Sequence, residues 1–351
     1  MNDKPTDTAR TDAPHISLAV TRGFPDYALI DCGHGRKLER FGALTVDRPE
    51  PQAMWAPRLA ADAWARADAV FVGDQEADDG RWRHNGKVPA SWPMRIKGIT
   101  ATCRFSNFRH VGVFPEQMPL WEWMLDALPR HAPEPPRLLN LFAYTGVASL
   151  LAAAAGAQVT HVDASKRAID WAKENQAASG LERAPIRWML DDARKFAARE
   201  VRRGRTYHGI LVDPPKFGRG PDKEIWEIFE HLPELMRTLA QLLDPAHAFL
   251  ILTVYAIRAS SVSIDCLARE ALAGRGGTFV SGELAVAEAE GERLLSSALF
   301  TRWQSSPAAR AAWIRRAACW RGAPRGSWRR RSRPVTSSAR RRRAPGTPSR
   351  L

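Results

Sequence analysis

The chain has 351 residues, 44% hydrophobic and 26% charged, the balance of a globular protein with room for two domains and a sizeable core. Its formal net charge is +14, yet fourteen arginines lie between Gln304 and Leu351 with no Asp, Glu or Lys among them, so residues 1–303 carry no formal excess. The longest apolar stretches, such as Leu150 to Ala155, fall short of the ~20 residues that cross a bilayer, and no charged start with an apolar h-region opens the chain, which points away from a secreted or membrane protein.

Residues 1–25 read as a polar, disordered terminus. From residue 26 to 114 short strand-like runs follow one another, "DYALIDCG", "ALTVDRP", "AVFVGD", "MRIKGITATCRF" and "HVGVF", with a hairpin turn expected at Gly98. "PEQMPLWEWMLDALP" is expected to be helical, with Pro115 in its first turn and Pro129 stopping it.

After Pro136 strands and helices alternate. "RLLNLF", "AQVTHVDA", "PIRWML", "YHGILVDPP" and "HAFLILTVY" read as strands. Between them lie the helices "GVASLLAAAAG", "SKRAIDWAKENQAASG", capped by Ser165, "DARKFAAREVRRG" and "DKEIWEIFEHLPELMRTLAQLL". "SVSIDCLAREALAG" is a last helix, and "GTFVSGELAV" and "LLSSALFTRW" close the pattern as two adjacent strands. This alternation predicts an α/β fold with a mostly parallel sheet covered on both faces and an antiparallel edge, over residues 115–303. Residues 304–351 break the pattern. They read as a disordered extension or an out-of-frame end, with a basic RNA-binding arm as the sharper alternative.

Cys32, Cys103, Cys266 and Cys319 are scattered, with neither a zinc spacing nor the density of a disulfide scaffold. A reducing cytoplasm and no metal are therefore expected.

In such a sheet ligands sit beyond the carboxyl ends of the strands. "NLFAYTG", Asn140 to Gly146, leads directly into a helix and holds a single glycine where a dinucleotide site would carry several. Asp163 ends the second strand, where a carboxylate can accept from a ribose diol or cap the next helix. Asp191 or Asp192 ends the third, with adenine binding and helix capping as rival roles. "VDPPKFG" ends the fourth: two prolines stiffen a turn that presents the Asp213 carboxylate and the Pro214 carbonyl, with Phe217 available to stack on a flat ring.

"NLFAYTG", "VDAS" and "DPPKF", in that order, resemble the class I S-adenosylmethionine (SAM)-dependent methyltransferases, and more closely the group of bacterial large-subunit rRNA base methyltransferases. "HVGVFPEQ" is similar to that group's segment approaching the methionine end of the cofactor. The resemblance covers about residues 90–303 and implies a Rossmann-like seven-stranded sheet with its last strand antiparallel, SAM as cofactor and RNA as partner. It implies that Asn140, Phe142, Tyr144, Thr145 and Gly146 surround the methionine and ribose. Asp163 would then hold the ribose, Asp192 or Asp191 the adenine, and Glu116 and Gln117 would lie near the cofactor. Asp213, Pro214, Pro215, Lys216 and Phe217 would border the acceptor. Family members that methylate C5 of cytosine use a Cys after the fifth strand. Here "LTVYAIRAS" has no thiol, and direct transfer, to a nitrogen, is the expectation.

The β-rich segment would help recognise RNA, with Arg95, Lys97, Arg104 and Arg109 as candidate phosphate contacts beside the plainer reading of solvated charges. A small-molecule or protein methyltransferase, and a non-catalytic RNA-binding factor retaining the fold, are the alternatives.

Overall fold

The computed structural model describes residues 16–73, 80–128, 134–255 and 257–306. The N-terminal part runs β1 (Ile16–Thr21), β2 (Tyr27–Gly33), β3 (Arg36–Phe41), β4 (Leu44–Pro49), α1 (Ala61–Ala65), β5 (Ala69–Gly73), β6 (Gly80–His84), β7 (Ser91–Ile96) and β8 (Ile99–Arg104). A 3-10 turn at Pro115–Gln117 opens α2 (Met118–Ala127). The alternating part follows as β9 (Arg137–Leu141), α3 (Val147–Ala154), β10 (Gln158–Asp163), α4 (Lys166–Ala178), β11 (Ile186–Leu190), α5 (Ala193–Arg202) and β12 (Gly209–Val212). Then come the short β13 (Phe217–Arg219) and β14 (Ile225–Glu227), α6 (Ile228–Leu242), β15 (Phe249–Tyr255), α7 (Ser261–Ala271), β16 (Thr278–Ala287) and β17 (Leu294–Gln304).

The expected seven strands form one sheet in the order β11-β10-β9-β12-β15-β17-β16, parallel except for β17, which runs antiparallel to both its neighbours. An eighth strand joins the edge. Residues 16–21, assigned by sequence to a disordered terminus, form β1 and pair in parallel with β16. The reason is steric: the backbone of β1 lies so close to Gly282 that a Cβ there would fall 1.7 Å from the Ser17 carbonyl oxygen. A side chain at that position would hold the edge strand off.

Strands β2 to β6 form a separate five-stranded sheet, and β7 and β8 the expected hairpin, turning through Lys97 and Gly98 with positive φ at both. β3 and β6 are too charged to read as strands. In β3 the charges are met by β4 and its continuation, Arg36 by Asp47, Glu39 by Arg48 and Lys37 by Glu50. "HVGVF" is not a strand: Gly112 adopts φ +110° there and the segment passes as a loop toward the large sheet. The start of the "DKEIWEIFEHL" helix is also corrected, because Ile225–Glu227 pair with β13 and the helix begins only at Ile228.

Two cores flank the large sheet. One is formed by α5, α6 and α7 with residues such as Phe196, Met236 and Ile264. The other runs without a break from Leu138, Val159 and Phe249 through α2 and α3 into Tyr27, Phe41 and Met94 of the N-terminal strands. The β-rich region is thus packed onto one face of the sheet and shares its core. Among the described residues no helix is long and apolar enough to cross a membrane, and no cluster of His, Cys, Asp and Glu could hold a metal. The arginine-rich tail beyond Ser306 lies outside the described residues.

Gly282→Ala is expected to detach β1 while leaving the other seven strands assembled, at a cost of about 1–3 kcal/mol. Hydrogen exchange should then show residues 16–21 losing protection while β15 keeps its own; unchanged protection of both would contradict this packing.

Candidate active site

β9 and β12 lie side by side at the middle of the sheet, and the chain leaves them toward opposite edges. Their following loops therefore part, and a crevice opens between them. The cleft there has about 500 Å³ of empty space, partly open to solvent. Asn140 lines it from β9, Phe142, Tyr144, Thr145 and Gly146 from the loop that follows, and Asp213 from the end of β12. Phe114 and Gln117 close it from the segment before α2, and Thr253 from β15.

The β9 loop has an uncommon backbone. Phe142 and Tyr144 have φ of +56° and +49°, and Gly146 follows at +82°. For the two aromatic residues this conformation costs about 1–3 kcal/mol each, so other contacts must hold it. Asp163 does so from β10, accepting the N–H of Tyr144 at 2.8 Å and that of Ser165 at 2.8 Å. The Thr145 hydroxyl donates to the Gly112 carbonyl at 2.6 Å, and Asn175 of α4 donates to the Thr145 carbonyl at 2.9 Å. Gly112 is required where it stands, since a Cβ would lie 2.4 Å from the Trp171 ring. This loop brings Phe114 to 5.7 Å from Tyr144 and 5.6 Å from Tyr255, ring to ring.

Asp213 is the central charged group. Its Oδ2 accepts from Gln117 Nε2 at 2.8 Å and its Oδ1 from the Thr253 hydroxyl. The same Gln117 nitrogen donates to the Tyr255 hydroxyl at 3.1 Å. Burial, which disfavours the charged form, pushes Asp213 up to about 7 despite the two donors, and the nearby Glu116 charge adds to the rise. Glu116 is itself buried and raised by its own desolvation. Asn140 sits deeper: its amide donates to Ser149 Oγ at 3.0 Å, which contacts His161 Nδ1 at 3.1 Å. Burial pushes that imidazole down to about 3, so it is neutral.

Beyond Asp213 the turn emerges to the surface. Pro214 is buried, while Pro215, Lys216 and Phe217 are exposed, the last with 61% of its surface accessible. The Lys216 ammonium lies 5.5 Å from the centroid of the Phe217 ring.

Other residues picked out in the sequence have different surroundings. Asp192 caps α5, accepting the Lys195 N–H at 2.9 Å, and Asp191 is ion-paired with Arg199. Neither lines the cleft, and nor do Asp163 and Glu116; the Asp191 N–H donates to the Asp163 carbonyl at 3.1 Å. Arg95, Lys97 and Arg104 are paired with Asp26, Glu122 and Glu174, and Arg109 donates to the Pro49 carbonyl at 3.4 Å. Cys32, Cys103 and Cys266 all lie outside the cleft lining. Phe114, Thr253 and Tyr255 are site residues the motif search passed over. Tyr255 stands where C5-methylating relatives carry a thiol, and its hydroxyl accepts from Gln117 at the edge of the cleft.

This donor set suits an adenosyl sulfonium. Asp163 already spends one lone pair of each oxygen on backbone N–H groups and has the others for a ribose diol. The cleft wall combines aromatic and aliphatic side chains with Gln117, Asn140, Thr145, Asp213 and Thr253, and its β9 loop holds the single Gly146 where a pyrophosphate cradle carries several glycines.

The chain is similar to the crystal structure of the SAM-dependent methyltransferase from Agrobacterium tumefaciens, with 50% sequence identity and a TM-score of 0.80 over 84% of this chain and 95% of that one. It is also 38% identical over 110 residues to the ribosomal RNA large subunit methyltransferase K/L of Shewanella frigidimarina. A third match, 38% identical over 82 residues, is the ribosomal RNA large subunit methyltransferase I of Klebsiella pneumoniae. These two matches span 31% and 23% of this chain, and only 15% and 20% of the curated relatives. No protein-family model matches the chain.

The raised Asp213 makes stability pH-dependent with a definite sign. Its carboxyl holds a proton to about pH 7 when folded but only to 3.8 as an ordinary aspartate, so in that window the native state binds the extra proton. Stability therefore falls as pH rises from about 4 to 7 and levels off above, a contribution of order 2–4 kcal/mol. Asp213→Asn should abolish this part of the slope in urea unfolding series; an identical slope in the variant would contradict the assignment.

Proposed function

Because the chain belongs to the SAM-dependent methyltransferases, with SAM as its cofactor, we propose that it transfers the methyl group directly to a nitrogen of a base in RNA, ribosomal RNA being the substrate class favoured. Two matched relatives carry names of large-subunit rRNA methyltransferases. The observation that carries the reading is local: a half-buried carboxyl whose pKa desolvation pushes up to about 7 stands at the root of a diproline turn whose Phe217 ring faces solvent.

When bound, SAM supplies a methyl group already activated by its sulfonium. What remains for the protein is alignment and proton handling, and positioning alone can lower a barrier by roughly 7–11 kcal/mol. Asn140, Phe142, Tyr144, Thr145, Gly146, Glu116 and Gln117 are proposed to hold the methionine and ribose end. Asp163 is proposed to take the ribose hydroxyls, and Asp192 or Asp191 to meet the adenine in addition to the α5 cap and the Arg199 pair that they make. Asp213 and the Pro214 carbonyl accept the acceptor N–H, and Phe217 stacks on its base. Asp213 takes up the proton that the nitrogen releases, a task suited to a carboxyl poised near neutrality. Direct transfer is supported by the cleft lining, which contains Asp213 and Thr253 and none of the described thiols.

Arg95, Lys97, Arg104 and Arg109 are proposed as backbone contacts. Their partners are surface carboxylates and a carbonyl. The Lys97–Glu122 pair is exposed on both sides, and such a pair is worth about 0–1 kcal/mol, so a phosphate can displace Glu122 at little cost.

Methyl transfer from labelled SAM to RNA of a strain lacking the gene, followed by nucleoside analysis, tests the reading. The expected product is an N-methylated base. Labelled C5-methylpyrimidine, or label confined to protein or small molecules, would overturn it. In calorimetry Asp163→Ala should weaken SAM binding at least tenfold, or by about 1.4 kcal/mol; unaltered affinity would remove Asp163 from the cofactor site.

A further inference from the structure

The diproline turn does not stand by itself. After Phe217 the chain doubles back through the β13–β14 hairpin, and Trp226 returns beneath the turn. Its indole Nε1 donates to the Pro215 carbonyl at 2.7 Å. Two residues on, the Ile228 N–H donates to the Lys216 carbonyl at 3.1 Å. Prolines at 214 and 215 have no N–H of their own, so the turn cannot hydrogen-bond itself into shape through them. Its conformation is set by what reaches its carbonyls from outside. Gly218 pairs with Trp226 across the hairpin and lies close under the Pro215 ring, where a Cβ would stand 3.3 Å away.

The Trp226 ring has a second neighbour. It is 3% exposed and packs at 4.9 Å, centroid to centroid, on Phe142. Phe142 belongs to the β9 loop, lines the cleft and is held in the left-handed region. One side chain therefore touches both walls of the site: its ring meets the cofactor-side loop and its N–H meets the acceptor-side turn. The sequence pattern, read as helix through Trp226, hid this role. Extended backbone at Ile225–Glu227 is what turns the indole under the turn.

We propose that Trp226 is a positioning residue that couples the β9 loop to the diproline turn, so that cofactor binding at one wall sets the placement of Asp213 and Phe217 at the other. This rests on the reading of residues 213–217 as the acceptor side. Two sites joined through one packed ring and one hydrogen bond form a contiguous route by which ordering of the first limits the motion of the second. Trp226→Phe separates the two contacts, since it keeps a ring against Phe142 and removes the N–H donor.

The test uses the full chain and S-adenosylhomocysteine as probe. In the wild type the probe should slow hydrogen exchange of residues 216–219. In Trp226→Phe its affinity should stay within about twofold while that slowing disappears. Methyl transfer should then fall about tenfold in kcat, with the KM for SAM unchanged. Slowing that persists in the variant, slowing absent from the wild type, or affinity lost in step with activity would each overturn the coupling. Should Trp226→Phe fail to fold, Trp226→Met, which packs apolar atoms on Phe142 and has no N–H donor, is measured in the same way; if neither folds, the residue is structural and the proposal falls. The exchange readout needs no RNA, so a wild type that shows the coupling but methylates no RNA would refute the substrate reading and leave the coupling standing.

Discussion

A single half-buried carboxylate draws the whole site together. Asp213 receives hydrogen bonds from Gln117, almost a hundred residues before it, and from Thr253, forty residues after it. Removing a carboxylate from water is costly, and two donors offset that cost only in part, which is why its proton is held to about pH 7. A group balanced between its charged and neutral forms is suited to taking up a proton, whereas a solvated aspartate would be fully ionised and a weak base. The sheet, the turn at Pro115–Gln117 and the end of β15 all have to be in place before Asp213 has these neighbours.

That dependence gives the N-terminal region a part in the site. The apolar core continues from Tyr27 and Phe41 through α2 to Leu138 and Val159 beneath the large sheet. The loop from Arg104 to Pro115 leaves the β7–β8 hairpin and passes over this shared core. Its Gly112 carbonyl takes the Thr145 hydroxyl, and its Phe114 ring meets Tyr144 and Tyr255. Gln117 follows at once. Part of the cleft wall is thus supplied by chain emerging from the β-rich region.

Backbone strain follows the same division of labour. Phe142 and Tyr144 are held with positive φ by bonds from Asp163, Gly112 and Asn175, which come from β10, the N-terminal loop and α4. The loop is rigid because parts distant in sequence converge on it. Trp226 extends this logic to the opposite wall, where a turn without its own N–H donors takes its shape from the returning hairpin.

What the sequence determined was periodic or local. The alternation of apolar strands and amphipathic helices specified the parallel sheet and its antiparallel close, since each element must bury one face. Gly98 in its hairpin and the Ser165 cap, which accepts the Ala168 N–H at 3.3 Å, were equally legible, because those choices are made within a few residues. Of the residues picked out at strand ends, Asn140, Phe142, Tyr144, Thr145, Gly146 and Asp213 line the cleft. Only the tertiary structure decided the remainder. Whether Asp192 caps a helix or faces a ligand, and whether "DKEIW" is strand or helix, depends on neighbours that adjacent residues do not reveal. β1 joined the sheet because Gly282 left room for it, and Tyr255 entered the site through a Gln117 amide 138 residues away. Burial and long-range hydrogen bonds belong to the folded packing, and no window of sequence contains them.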